Sequence, residues 1–171
     1  MVESRREAWH EIVRRSEDAG ADGLELNFGC PHGMCERGMG SAVGQQPAVT
    51  ERIVSWVMEA AKIPVITKLT PNVTDITVTA RAAEDAGSDI LSLINTVAGM
   101  AVDITSRRPR LSTVIGGLSG PAIKPIALRM VWETYRRVRI PIIGMGGIMT
   151  ADDAIEFLLA GATAMSLHRG G

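Results

Sequence analysis

The chain has 171 residues, 46% of them hydrophobic and 22% charged, with a formal net charge of −1. That balance belongs to a core-forming globular protein, and it supplies no field for nucleic acid or an anionic membrane. No apolar run approaches the roughly 18 residues of a membrane span, and the charged start MVESRREAWHEIVRRSEDAG does not read as a signal peptide. Two cysteines are too few to hold an iron–sulfur cluster. The expectation is a cytoplasmic protein with reduced thiols.

Residues from about Glu3 to Ala19 predict an amphipathic helix with Trp9, Ile12, Val13 and Ser16 on one face. Alternating Leu24 and Leu26 predict a short strand, which Pro31 stops because it lacks an N–H for the ladder. Asn27 and Cys30 thus arrive at a strand's carboxyl end, where α/β folds place their chemistry. A second helix is expected from about Pro47 to Lys62, with Pro47 in its first turn, and then a buried strand from Ile63 to Leu69. Asn72 and Thr74 are the expected caps of a third helix, about Asp75 to Ala86. A strand from Ile90 to Ile94 leads into Asn95 and Thr96. Residues 97–120 read as a long loop holding at most a short strand or hairpin. A fourth helix from about Pro125 to Val138 precedes a strand from Ile140 to Gly144, which runs into Met145, Gly146 and Gly147. A fifth helix, about Ala151 to Ala160, and a strand from Ala164 to Leu167 complete the pattern.

One unit recurs along the chain. DAGADGLEL (18–26), DAGSDILSL (85–93) and LAGATAMSL (159–167) are versions of a single helix end, turn and strand. A helix closed by glycine and followed by a near-continuous apolar strand means a parallel sheet covered by helices. A five-stranded doubly wound sheet and part of an eight-stranded β/α barrel both satisfy it. A complete barrel takes about 200 residues or more, so a barrel here would comprise about the last five β/α units, without its first strands.

Each predicted strand ends in something polar or glycine-rich. These ends hold Asn27 and Cys30, Lys68 and Thr70, Asn95 and Thr96, Gly146 and Gly147, and His168 and Arg169. A single ligand lying across that face explains the set, although Asn and Thr are also ordinary caps in such loops. Lys68 follows a buried strand, and an ammonium there needs a carboxylate or a bound anion beside it. The pairs Gly116-Gly117 and Gly146-Gly147 precede helices, where backbone amides hold phosphate oxygens. Cys30 stands between Gly29 and Pro31, in a loop start with little packing demand, whereas a lone cysteine is more often a buried small hydrophobe. Cys35 reads as incidental, His32 as a solvated loop residue or ligand contact, and Glu36 with Arg37 as a surface pair.

The stretches NFGCPHGM (27–34), ERGMG (36–40), KLTPNVTDI (68–76), SLINT (92–96) and GGLSGPAIKPIAL (116–128) resemble dihydropyrimidine dehydrogenases. The likeness is strongest to the flavin-bearing subunit of the bacterial enzymes, within a wider group that includes the dihydroorotate dehydrogenases. That resemblance implies a TIM-type β/α barrel binding FMN, present in part, with residues 1–171 forming one partial FMN-binding domain. It implies reduction of the 5,6 double bond of uracil or thymine, with hydride passing from FMN to C6 and Cys30 giving a proton to C5. Asn27, Phe28, Gly29, Asn95 and Thr96 would contact the pyrimidine. Lys68 would lie against the flavin ring, with Gly120, Met145, Gly146, Gly147, His168 and Arg169 around the rest of the cofactor. FAD, iron–sulfur clusters and NAD(P)H oxidation would belong to a partner subunit or domain. Two other readings are a dihydroorotate-type oxidoreductase, with Lys124 or the arginines at 107–110 meeting the substrate carboxylate, and an inactive fragment or interaction module lacking a complete FMN site.

Overall fold

The computed structural model describes residues 5–30 and 41–167. The frame is a five-stranded parallel sheet of β1 (Leu24–Asn27), β2 (Val65–Lys68), β3 (Ile90–Leu93), β8 (Ile142–Gly144) and β9 (Ala164–Met165), lying side by side in that order. Helices α1 (Arg6–Asp18), α2 (Ser41–Gly44), α3 (Pro47–Met58), α4 (Ile76–Asp85), α5 (Lys124–Tyr135) and α6 (Ala151–Leu159) alternate with the strands. Parallel crossovers share one hand, so a strand order that follows the sequence puts the helices on one side of the sheet. A doubly wound sheet reverses its order part-way to place helices on both faces. The fold is therefore α/β with the parallel sheet of a partial TIM-type barrel.

The two faces of the sheet differ accordingly. Leu26, Val65, Thr67, Leu91, Leu93 and Ile142 form the helix-covered side and are buried. The opposite side carries one row in register across all strands: Asn27, Lys68, Ser92, Ile143 and Ala164. Val54, Val57, Ala80, Ala83, Ala127 and Val131 of the helices complete the core. The recurrent Ala-Gly has a local cause. Ala19, Ala86 and Ala160 end α1, α4 and α6, and Gly20, Gly87 and Gly161 follow at φ of 85°, 95° and 109°. That left-handed conformation costs glycine nothing and turns the chain toward the next strand.

Several boundaries move for physical reasons. The expected helix to Lys62 closes at Met58, and the Lys62 N–H is taken by the Glu17 carboxylate of α1 at 2.6 Å. Asp75, not Asn72 or Thr74, caps α4, accepting from the Thr77 N–H at 2.9 Å and its hydroxyl at 2.7 Å. Those hydrogen bonds hold the Asp75 carboxyl below its ordinary range. Trp9 and Val13 of α1 are buried, but Ile12 stays 46% exposed. Residues 97–118 form two nested antiparallel pairs, more than the single short strand or hairpin expected: β4 (Val97–Gly99) with β7 (Gly116–Leu118), and β5 (Val102–Asp103) inside them with β6 (Arg108–Pro109).

An ion-paired latch joins the last two helices. Lys124 at the start of α5 reaches Asp153 Oδ1 at 2.5 Å and Glu156 Oε2 at 3.0 Å on α6. Asp153 also accepts from the Met149 and Thr150 N–H groups in the capping box of α6. Its carboxyl is held well below the usual carboxylate range, by Lys124 first and then by those N–H groups. A carboxyl whose folded value is depressed contributes stability that is full above its unfolded value, about pH 4. That stability is lost as pH falls toward the folded value. Asp153→Asn should therefore lower the melting temperature near pH 7. The gap to the parent protein should narrow as pH drops below about 4, which paired melts across that range would read.

Candidate active site

The strand ends bring together a compact polar group. Asn27 ends β1, and its Oδ1 accepts from the Gly29 N–H at 3.0 Å and from Asn95 Nδ2 at 2.9 Å. Asn95 lies just past β3, so the amide pair spans the end of β2. Its own Oδ1 accepts from the Thr96 N–H at 2.8 Å. Gly29 is required by this contact: a Cβ there would sit 2.3 Å from the Asn95 Cβ. The two amides orient each other and still leave Asn27 with its NH₂ group, a pair of donors suited to carbonyl oxygens. Cys30 follows at once, partly exposed, with its carbonyl accepting from the Ser41 N–H at 3.0 Å.

Lys68, one strand away and level with Asn27, meets a carboxylate. Its Nζ lies 3.2 Å from Glu25 Oε1, and Glu25 Oε2 accepts from the Ser92 hydroxyl at 3.1 Å. Glu25 was not among the residues singled out in the sequence. Its place two residues before Asn27 on the same strand face was the signal. Asn72, expected as a helix cap, is instead a strut between loops. It donates to Thr70 Oγ1 at 3.0 Å and the Thr96 carbonyl at 3.2 Å, and accepts from the Ala98 N–H at 2.8 Å. It thereby fixes the loop that carries Asn95 and Thr96.

The glycine loops meet at the start of α5. Gly120, at φ 87°, has nothing within 4 Å of where a Cβ would stand. Gly147, at φ 78°, packs so closely that a Cβ would lie 2.7 Å from the Gly120 carbonyl oxygen and 2.9 Å from the Lys124 nitrogen. Bare backbone beside open space, ahead of a 12-residue helix, fits an anionic group such as a phosphate. Lys68, with donors beyond the one given to Glu25, fits the carbonyl oxygens of a ring. The residues of this side thus suit a cofactor carrying both a ring and a phosphate, as FMN does.

Not every expected residue reaches this group through its side chain. Phe28 is fully buried in the hydrophobic core, and its N–H donates to the Lys68 carbonyl at 3.1 Å, so its side chain does not reach the site. The Met145 N–H and carbonyl are both committed to the ladder with Leu93 and Ile94, leaving only its side chain. Lys124 is held by Asp153 and Glu156. Arg107, Arg108 and Arg110 are exposed on the β5–β6 excursion. His168 and Arg169 lie outside the described residues, as do His32, Cys35, Glu36 and Arg37.

A one-sided parallel sheet with amides, a lysine and glycine loops at its carboxyl edge has the layout that β/α-barrel enzymes use for their working face. The family model described as dihydroorotate dehydrogenase matches residues 3–170. The chain belongs to the dihydroorotate dehydrogenase family, a family of oxidoreductases. Its relatives include proteins named dihydroorotate dehydrogenase B (NAD(+)), catalytic subunit. That of Alkaliphilus metalliredigens is 51% identical over 161 residues, 94% of this chain and 52% of the relative. That of Methanothermobacter thermautotrophicus is 54% identical over 148 residues, covering 86% and 48%. That of Caldicellulosiruptor bescii is 57% identical over 146 residues, covering 85% and 48%. The chain spans about half the length of these curated relatives.

These likenesses correct the expectation of a dihydropyrimidine dehydrogenase acting on uracil or thymine in pyrimidine catabolism. The relatives carry the name of the dihydroorotate enzyme instead. The error has a chemical origin. Both activities work on the same 5,6 bond of a pyrimidine ring, so Asn27, Cys30, Lys68 and Asn95 suit either one. His32-Gly33-Met34, which favoured the catabolic enzyme, is only three residues of sequence.

Proposed function

We propose that this chain provides the FMN-bearing barrel face of a dihydroorotate dehydrogenase, oxidising dihydroorotate to orotate at its 5,6 bond. Residues 1–171 then belong to a single FMN-binding domain. The observation that carries the reading is the mutually oriented Asn27–Asn95 pair, with Cys30 three residues beyond Asn27, in a chain about half identical to proteins of that name over the matched residues. FMN, when bound, supplies the acceptor for the hydride that leaves C6. Cys30 Sγ takes the proton from C5, because a thiolate is the basic form of this side chain. Asn27 and Asn95, with Gly29 and Thr96, hold the ring by its alternating N–H and carbonyl edge. Phe28 supports the strand end through its buried ring. Lys68 stabilises negative charge where the flavin ring would lie. Gly120, Gly146 and Gly147 form the phosphate side with Met145 near it, while His168 and Arg169, assigned to that side by resemblance alone, lie outside the described residues.

A partner subunit carrying FAD and an iron–sulfur cluster would take the electrons on to NAD⁺. The relatives' designations as NAD(+)-dependent and as a catalytic subunit support this.

The test is anaerobic mixing of the flavin-loaded protein with dihydroorotate or with dihydrouracil. Dihydroorotate should bleach the flavin absorbance and dihydrouracil at equal concentration should not. Bleaching by dihydrouracil alone, or a colourless protein that takes up no added FMN, would overturn the proposal.

A further inference from the structure

We infer that Glu25 is a positioning residue for Lys68, holding its ammonium in one place above the sheet and offsetting part of its charge toward the bound flavin. The inference rests on the proposed placement of the flavin beside Lys68. A lysine's flexible four-carbon stem does not place its ammonium by itself. Here the Glu25 carboxylate is engaged through both oxygens, by Lys68 Nζ at 3.2 Å and by the Ser92 hydroxyl at 3.1 Å. Ser92 is fully buried on the central strand of the sheet, so it anchors the carboxylate from a rigid position. The three groups come from three adjacent strands, β1, β2 and β3, whose register is set by the sheet itself. An isolated surface pair has no such third anchor and holds little geometry.

Glu25 also shares its strand face with Asn27, two residues on. One short strand thus serves both ends of the proposed site, the amide for the substrate and the carboxylate for the lysine. The ammonium has three donors; Glu25 takes one and the others remain for ring carbonyls. The carboxylate also opposes the pull of the ammonium on electrons entering the ring, since opposite charges at this distance largely offset each other. Removing its charge should make reduction of the bound flavin easier, and removing the ammonium should make it harder.

The experiment compares Glu25→Gln, Glu25→Asp and Lys68→Met with the parent protein in two measurements. The midpoint potential of bound FMN should move positive in Glu25→Gln, negative in Lys68→Met, and stay near the parent value in Glu25→Asp. Acetylation of Lys68 by acetic anhydride in flavin-free protein, read by mass spectrometry, should be several-fold faster in Glu25→Gln. A potential shift in Lys68→Met alone, with unchanged acetylation in Glu25→Gln, would overturn the role of Glu25 and leave the flavin placement standing. Faster acetylation without any potential shift in either variant would overturn the inference together with that placement. Should Glu25→Gln fail to fold, Ser92→Ala must accelerate acetylation by loosening the carboxylate, and an unchanged rate would overturn the tether.

Discussion

Replacing Cys30 with alanine should slow dihydroorotate oxidation about 10²- to 10⁴-fold, the usual contribution of a positioned general base, while FMN binding and the thermal midpoint stay near those of the parent protein. The side chain is only partly buried, and the Cys30 carbonyl accepts from the Ser41 N–H at 3.0 Å. Truncation therefore leaves that contact and the Asn27–Asn95 pair in place. The loss should appear in kcat with little change in KM, because the proton is transferred in the transition state rather than in binding. Cys30→Ser should recover part of the rate as pH rises, since a hydroxyl gives up its proton much less readily than a thiol. Reduction of the flavin in a single turnover, followed across pH, measures both. A rate unchanged in Cys30→Ala would move the base to another residue.

The second large effect falls two residues earlier and has a different nature. Phe28→Ala should destabilise the fold by about 3–5 kcal/mol, the range for emptying a fully buried phenylalanine site. Its side chain is completely buried, and its N–H donates to the Lys68 carbonyl at 3.1 Å. The ring belongs to the buried hydrophobic core, so the cavity opens there and not in the site. Urea unfolding measures the loss as a lowered midpoint with an unchanged slope. If the folded variant binds FMN and dihydroorotate as the parent does, Phe28 supports the strand end without touching the ring. A large rise in KM with unchanged stability would instead make it a substrate contact.

The family assignment turned on whole-chain similarity and not on the most distinctive motif. His32-Gly33-Met34 pointed to uracil and thymine, whereas the match over residues 3–170 and the relatives' names point to dihydroorotate. Residues that serve the shared ring chemistry cannot separate two enzymes that act on the same bond. A substrate carboxylate separates them, and the cation proposed for it at Lys124 is held by Asp153 and Glu156.

The alternation of strand and helix was readable residue by residue because its causes are local. Apolar periodicity marks the buried faces, and Ala-Gly at 19–20, 86–87 and 160–161 turns each helix into the next strand through a left-handed glycine. Residues 97–118 resisted the same reading, since strands of only two or three residues show no period and β4 finds β7 only after an intervening pair. Asn72 resembled a cap because its neighbours are cap-forming residues. Only the approach of the β3 loop made it a strut. Phe28 sits in a motif with Asn27, yet its ring belongs to the buried hydrophobic core.

Lys68 shows where local information stops. Its position at the end of a buried strand already required a carboxylate or an anion beside it, and that much followed from its neighbours in the chain. Which group answers the requirement depends on the register of β1 against β2 and of β2 against β3. Glu25 lies 43 residues away, and no pattern within either strand links the two. The chemistry needed at each strand end was written in short stretches of sequence, but the pairing of Glu25, Lys68 and Ser92 exists only once the strands lie side by side.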